Sequence, residues 1–403
     1  MKFITENVKW TGYIDWDLRE FHGYSTPYGT TYNSYLILDE KPTLIDTVKH
    51  YGVEEMLARI KETIDPSKIK YIVSNHTEMD HSGSIDKLLE LCPEAEIICS
   101  PKGEEGLKKH FLSDKDNKNW KFRVVNSGDS LNIGKNTLSF FLTPMVHWPD
   151  SMVTYLENNK ILFSNDAFGQ HYASYERYVE EIGLDIILRE ATKYYANIVM
   201  PYGKQVLKSL EALKKLELNK ICPSHGLLWQ DKGDIKKILS NYKKWASYES
   251  DVRVVVIYDT MWHSTEKMAL KLFELIDKQN VPVRLINLKN THISDVVTEI
   301  MLSKVVCVGS PILNNKILPS IGGLLTYLRG LKPRNRSFFT FGSYGWSKIG
   351  FKEFEDLLKD SGMEQLLEGR YFQFVPREDD LKALVDITYK IKEIFDLNIK
   401  EMS

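Results

Sequence analysis

The chain has 403 residues, 43% of them hydrophobic, and its 53 Lys plus Arg nearly balance 55 Asp plus Glu for a net charge of −2. That length suits two domains of roughly 100–200 residues each, and the charge balance offers no basic field for nucleic acid or an anionic membrane. The four cysteines, Cys92, Cys99, Cys222 and Cys307, form no CxxC pair, which argues against a disulfide framework, a zinc ribbon or a rubredoxin-type iron site.

The N-terminus, MKFITENVKW, lacks the apolar stretch of a signal peptide, and no run approaches the ~20 apolar residues of a membrane span. A cytoplasmic location is the expectation. TYNSYLIL (31–38) and PTLIDTV (42–48), separated by the turn-like DEKP, read as a hairpin. The β-rich runs KIKYIVS, EIICS, LSFFLTPMV, KILFS and KICPS follow, with helical stretches such as VEEMLARIKETI and YGKQVLKSLEALKKL between several of them. This pattern predicts a β-sandwich flanked by helices over 1–250.

NYKKWASYESD (241–251) reads as a helix end that joins two halves of different grammar. From 251 to 403, VRVVVIYD, VPVRLINL, KVVCVGS, RSFFTFGS and YFQFVP alternate with amphipathic helical segments. Regular interleaving of this kind predicts a doubly wound parallel sheet, with its ligand outside the carboxyl ends of the strands.

Four strand ends of the first half deliver metal-ligand residue types. SNHTEMDHSG places His76, Glu78, Asp80 and His81 after IKYIV, while His147, Asp166 and His225 follow three later β-runs. In an extended loop, residues two apart face one way, so His76, Glu78 and Asp80 are expected on one side and His81 on another. Seven candidates exceed a tetrahedral site; they suit two ions, each with about three protein ligands and one shared carboxylate. Imidazole accepts zinc and iron alike, but carboxylates without a thiolate favour the harder, redox-capable iron. The bland alternative, turn residues satisfied by hydrogen bonds, accounts for a lone histidine better than for four converging strand ends.

HTEMDH resembles the HxHxDH signature of the metallo-β-lactamase fold, with Glu78 where that signature has its middle histidine, and this departure is the pattern of the flavodiiron proteins. The resemblance spans essentially the whole chain. It implies an N-terminal metallo-β-lactamase-like αββα sandwich followed by a C-terminal flavodoxin-like doubly wound sheet. It further implies that His76, Glu78 and His147 hold one iron, that Asp80, His81 and His225 hold the other, and that Asp166 bridges them; in some members water replaces the equivalent of His81.

In the second half, YDTMWHSTEKMA sets Thr260, Ser264 and Thr265 with loop amides ahead of a helix, an arrangement that favours a phosphate. It is neither GxGxxG nor a GK[ST] loop, and by itself is equally a helix cap. GSPILNNK (309–316) and FGSYGWS (341–347) end two further β-runs, and Tyr344 and Trp346 suit the flanks of an isoalloxazine ring. Together the three loops resemble the FMN site of flavodoxin. The residues expected there are Thr260, Met261, Trp262, His263, Ser264, Thr265, Pro311, Ile312, Leu313, Asn314, Ser343, Tyr344, Gly345 and Trp346.

The family resemblance implies reduction of O2 to water, of NO to N2O, or both, with electrons relayed through FMN. It implies a head-to-tail homodimer or a dimer of dimers, and an electron donor that is a separate rubredoxin or, as in methanogen relatives, a reduced deazaflavin. His171 in GQH and Tyr195 in KYYANI are expected beside the metals as proton suppliers, and the tyrosine-rich FHGYSTPYGTTY (21–32) is a further candidate pocket loop. Packed, hydrogen-bonded aromatics are the alternative for each. The rival function is a dinuclear zinc hydrolase carrying a flavodoxin-like docking domain; the carboxylate of Glu78 counts against it.

Overall fold

The computed structural model describes residues 3–112 and 119–402. Two compact units emerge: Met1–His22, Thr26–Tyr194 and Tyr202–Lys243 form one, and Gly23–Ser25, Tyr195–Pro201 and Lys244–Ser403 form the other. The changeover lies inside the helix Lys232–Ala246, ahead of the boundary expected at 250.

The first unit carries a seven-stranded and a five-stranded sheet. Alternation along the strands builds its layers, because successive side chains point to opposite faces. Tyr35, Ile37, Ile45, Val73 and Ile98 of the larger sheet share a core with Leu138, Phe140, Leu156, Ile161, Phe163 and Cys222 of the smaller one. Their neighbours Leu36, Leu44, Ile72 and Ile97 face outward onto Met56, Ile60, Leu88 and Leu107, which come from three helices. Each fully buried aliphatic side chain contributes about 1.5–3 kcal/mol, so the period-two pattern accounts for a sandwich covered by helices.

The expected 31–38 and 42–48 hairpin is partly different. Tyr35–Ile37 does pair antiparallel with Thr43–Ile45, but Thr30–Tyr32 belongs to a separate ribbon with Tyr13–Asp15. Asn33 divides the two: its side-chain amide donates to the carbonyls of Pro223 and Gly226, so the chain is pinned there and changes partner.

In the second unit, Val283–Asn287, Asp251–Tyr258, Ser303–Gly309 and Ser337–Tyr344 pair in parallel in that spatial order. Glu364–Gln365 and Arg370–Gln373 both pair in parallel with Ser337–Tyr344, making a split fifth strand. Strand order reverses beside Asp251–Tyr258, and the carboxyl ends there are where a doubly wound sheet takes its ligand. All four cysteines are free and buried, consistent with their apolar setting.

Candidate metal centre and cofactor pocket

The strand Tyr71–Ser74 delivers the first ligand types, but the segment after it is not extended throughout. Met79–Ser82 forms a helical turn, closed by the Ser82 hydroxyl donating to the Thr77 carbonyl at 2.7 Å. The turn rotates Asp80 away from His76 and Glu78 and sets it with His81. The alternating expectation for Asp80 is therefore corrected: a 3.6-residue period replaces a period of two at Met79.

Two groups of candidate ligands result. His76, Glu78, His147 and Asp166 form one, and Asp80, His81 and His225 form the other. Asp166 lies between them with its two oxygens divided. Its Oδ2 stands 3.7 Å from His76 Nε2 and 3.4 Å from His147 Nε2, while Oδ1 stands 3.0 Å from His81 Nε2 and 3.4 Å from His225 Nε2. Glu78 Oε2 is 3.3 Å from both His76 Nε2 and His147 Nε2, and the Asp80 oxygens are 3.3 Å from His81 Nε2 and 3.2 Å from His225 Nε2. Atoms bound ~2.1 Å from one cation stand roughly 3.0–3.4 Å apart along tetrahedral or octahedral edges. The spacing fits two ions sharing one carboxylate.

Buried polar atoms test that fit. Both oxygens of Asp80, both oxygens of Asp166 and both ring nitrogens of His81 are buried without a hydrogen-bond partner. A buried polar atom without a hydrogen-bond partner is costly, and cations between these atoms would satisfy them together.

Outer contacts set the imidazole tautomers. His76 Nδ1 lies 3.0 Å from Asp150 Oδ2, which also accepts the Thr77 amide at 2.7 Å. The His225 Nδ1–H donates to the Thr31 carbonyl at 2.8 Å. In both rings Nε2 is thereby left for the centre. Asp150, the last residue of HWPD, stands beyond the strand-end ligand pattern, and Thr31 lies in the tyrosine-rich loop 21–32 without being marked there as a contact of the centre. Replacing Asp150 with alanine is expected to weaken metal binding about 10–100-fold, measured by chelator competition.

The metal-free centre stores protons. Burial pulls each imidazole pKa down, but Asp166 and Glu78 outweigh it at His147, which is held at about 9. Asp166 and Asp80 do the same at His225, held at about 10. Both rings therefore carry a proton at neutral pH that a metal must displace. Metal uptake is expected to release protons and to tighten as pH rises toward those values, by up to about tenfold per displaced proton per unit. Metal titration in weakly buffered solution with a pH indicator reads both effects.

A cavity of about 690 Å³ opens at the carboxyl ends of the second unit's strands, within the ~300–1,000 Å³ of small-molecule sites. Met261, Trp262, Ser264, Pro311, Ile312, Leu313, Asn314, Ser343, Tyr344, Gly345 and Trp346 line it, joined by Asn315, Ser347, Phe374 and Val375, which are not among the residues expected there. Phe374 and Val375 lie just past the last strand, Arg370–Gln373, on a fourth segment separate from the three strand-end loops. Thr260, His263 and Thr265 do not line it. His263, with φ 65, caps the helix Ser264–Asp277 and binds Glu266 at 2.6 Å, and Thr265 Oγ1 meets Ser343 Oγ at 3.3 Å. Thr260 Oγ1 is buried without a hydrogen-bond partner near that helix start, and the Lys289 ammonium donates to the Thr260 carbonyl at 2.5 Å. Lys289 also pairs with Asp259 at 3.4 Å, and it is the helix N-terminus at Ser264, which lines the largely apolar cavity, that fits a phosphate joined to a flat aromatic group.

Residues 30–226 match the ODP family beta lactamase description and residues 256–387 match Flavodoxin. The nitric oxide reductase of Moorella thermoacetica is 41% identical over 393 residues, 96% of this chain and 97% of the relative. The rubredoxin oxygen:oxidoreductase from the anaerobe Desulfovibrio gigas aligns with a TM-score of 0.95 at 39% identity over 99% of each chain. The flavodiiron protein from Giardia intestinalis gives 0.93 at 34% identity, over 98% of this chain and 97% of that one.

The chain belongs to the flavodiiron protein family.

Its N-terminal unit is accordingly the metallo-β-lactamase-like fold and its C-terminal unit the flavodoxin-like one, and it is an oxidoreductase. The hydrolase alternative has no comparable support. Within this flavodiiron protein Tyr194, rather than its neighbour Tyr195, lies beside the metal groups: its ring centroid is 5.1 Å from that of His171 and 6.0 Å from that of His225. Tyr195 belongs to the second unit and packs on Trp245 at 5.1 Å. The helix Leu184–Tyr194 ends between the two tyrosines and a π-turn, Tyr195–Val199, follows, so adjacent residues diverge. The ring of His171 lies 4.9 Å from that of His225, and its Nδ1 is 2.8 Å from Thr30 Oγ1. His22, unmarked as a ligand type in the tyrosine-rich loop, places Nε2 2.8 Å from Glu78 Oε1. Among the described residues no helix is long and apolar enough to cross a membrane.

Proposed function

We propose that this flavodiiron protein reduces O2 to water, NO to N2O, or both, at a dinuclear iron site, with electrons relayed through FMN. His76, Glu78 and His147 would hold one iron, Asp80, His81 and His225 the other, and Asp166 both. The observation that carries this reading is the division of Asp166: each oxygen faces its own pair of imidazole nitrogens. Glu78 adds a second carboxylate to the first group, suiting a harder, redox-active ion. The iron pair would supply two electrons to a bound diatomic, and FMN, which takes electrons in pairs and passes them singly, would restore them.

The surrounding side chains supply position and protons. Glu78 presents Oε2 to the centre while His22 holds Oε1. That bond to Glu78 raises the His22 pKa, and the ring is mostly exposed, so it can carry a proton from solvent to the edge of the site. Burial, with the His225 charge, drives the His171 pKa well down; neutral His171 orients neighbours and stores no proton. Burial and the nearby carboxylates keep the Tyr194 phenol protonated, so its O–H can donate toward developing negative charge.

In the second unit, Ser264 and Thr260 at the helix start are assigned to the FMN phosphate, and Trp262, Tyr344, Trp346 and Phe374 to the walls around the ring. The electron donor is assigned as a separate rubredoxin, supported by the name of the Desulfovibrio gigas relative, with reduced deazaflavin as the alternative. A head-to-tail homodimer and a cytoplasmic setting complete the proposal. About two irons and one FMN per chain, followed by anaerobic reduction and mixing with O2 and then NO, tests it. Consumption of either gas by the loaded, reduced protein is the expected result. Stoichiometric zinc, no flavin and no gas consumption would overturn it.

A further inference from the structure

The first unit contains an aromatic cluster that the proposed reaction leaves unused. Tyr32 is fully buried and lays its ring 5.7 Å from that of His225. Its hydroxyl meets the Tyr51 hydroxyl at 3.2 Å, and the Tyr51 hydroxyl donates to Asp15 Oδ2 at 2.5 Å. Since the Tyr51 proton is committed to Asp15, the Tyr32 hydroxyl is the donor between the tyrosines. The shorter bonds therefore run from Tyr32 to Tyr51 to Asp15, and the Tyr32 hydroxyl also reaches Asp15 Oδ2 directly at 3.5 Å, a longer path for its proton that does not need Tyr51.

The cluster is held in register from several sides. Tyr13 and Tyr32 are cross-strand partners with rings 3° from parallel and 6.3 Å apart. Asp15 is anchored by the amide of Leu18 on Oδ1 at 3.1 Å. Gly52 leaves room for Tyr13, because a Cβ there would lie 2.6 Å from its ring. The wire also changes environment along its length, from buried Tyr32 to Tyr51, which is 44% exposed.

A phenol hydrogen-bonded toward a carboxylate can surrender an electron and a proton together, so no radical cation forms. Lys49 reinforces that coupling. Its ammonium lies 5.3 Å from the Tyr51 ring centroid and 5.8 Å from that of Tyr32, where it would oppose positive charge on either ring. We propose that Tyr32 and Tyr51, with Asp15 as proton acceptor, relay oxidising equivalents from the metal centre to the protein surface. This rests on the reading of that centre as an O2-reducing iron pair.

The relay acts when O2 has met fewer than four electrons and the centre is left oxidising. One electron leaves Tyr32 for the oxidised centre, the Tyr32 proton moves to the Tyr51 oxygen, and the Tyr51 proton moves to Asp15 Oδ2. Tyr51 then returns an electron and a proton to Tyr32 and becomes the radical. A small thiol at the exposed Tyr51 ring gives a hydrogen atom and becomes a thiyl radical, and Asp15 releases its proton to solvent. In total the thiol loses one electron and one proton: the centre gains the electron and solvent gains a proton.

The test mixes partially reduced, iron- and FMN-loaded protein with O2 and freezes it on the millisecond scale for EPR. A tyrosyl signal is expected, lost in Tyr32→Phe and in Asp15→Asn, while Tyr51→Phe abolishes its quenching by thiol and leaves O2 consumption under excess reductant unchanged. A second arm uses metal-free protein and a photogenerated ruthenium(III) oxidant. There a Tyr51 radical, identified by its absence in Tyr51→Phe, should show a deuterium isotope effect that Asp15→Asn removes. An unchanged radical in the Tyr32→Phe, Tyr51→Phe double variant, or no radical in protein that does consume O2, would overturn the relay. Absence of iron or of O2 consumption would instead strike the proposed function, and the metal-free arm would still decide whether Tyr51 and Asp15 act as a couple.

Discussion

Replacing Asp166 with alanine is expected to empty the metal centre and remove gas reduction. Asp166 is the only residue of the seven with an oxygen toward each group, at 3.0–3.7 Å from four imidazole nitrogens. Without it one group keeps only Glu78 as its anion and the other only Asp80, while four imidazoles still converge. Removal of a residue that merely orients a ligand costs about 10–100-fold in affinity, so loss of the shared ligand should exceed that at both ions. Iron is expected to fall from about two per chain toward zero, with NO and O2 consumption down by at least ~100-fold. Asparagine separates charge from shape: its one carbonyl oxygen can serve only one group, so Asp166→Asn should keep at most one ion. Metal analysis reads occupancy directly. Thermal melts with and without iron provide a second check, since a ligand at 100 times its Kd adds about 2.7 kcal/mol and the alanine variant should gain nothing.

The second large effect is expected at Gly226, the residue after His225. Its φ of +76 disfavours any side chain, and a Cβ there would fall 1.4 Å from Gln170 Oε1 and 2.3 Å from the Gln170 carbonyl oxygen. Gln170 cannot swing aside freely, because its side chain pairs twice with the Leu227 backbone, at 2.6 and 3.1 Å. Backbone strain of about 1–3 kcal/mol and overpacking of about 1–3 kcal/mol give a destabilisation of roughly 2–6 kcal/mol for Gly226→Ala. The same substitution displaces His225, whose orientation depends on Thr31 bonding both the ring and the Gly226 amide. Loss of the second iron before the first is therefore expected, along with the lower denaturant midpoint. Gly128 is the control: its φ is +93 but its Cβ would meet nothing within 4 Å, so Gly128→Ala should show the strain alone.

The chain's local patterns carried much of this. Each of the five apolar runs after residue 251 became a strand of the parallel sheet; the three central ones, Asp251–Tyr258, Ser303–Gly309 and Ser337–Tyr344, are largely buried and need a continuous apolar segment, whereas the edge strands Val283–Asn287 and Arg370–Gln373 stay partly exposed. The ligand types were visible for a related reason: histidines and carboxylates placed just past apolar runs have little to do in a core. The flavin loops were legible through glycine, hydroxyl and aromatic content, but His263 and Thr265 bond within the unit, to Glu266 and Ser343, and composition could not separate those roles from cavity lining.

What sequence by itself determined, then, is which segments form strands, which residues end them, and, through Glu78, which chemistry the first group suits. Only the tertiary structure decided who meets whom. The helical turn at Met79–Ser82 assigned Asp80 to His81 and His225, and the break after the helix ending at Tyr194 chose that tyrosine over Tyr195. Asp150 reached His76 across 74 positions, Thr31 reached His225 across 194, and His22 reached Glu78 across 56. Periodicity reports the direction of a side chain within its own element. Which element lies opposite follows from sheet order and register, set by the sum of many weak apolar contacts along the whole unit, and no short motif records that sum.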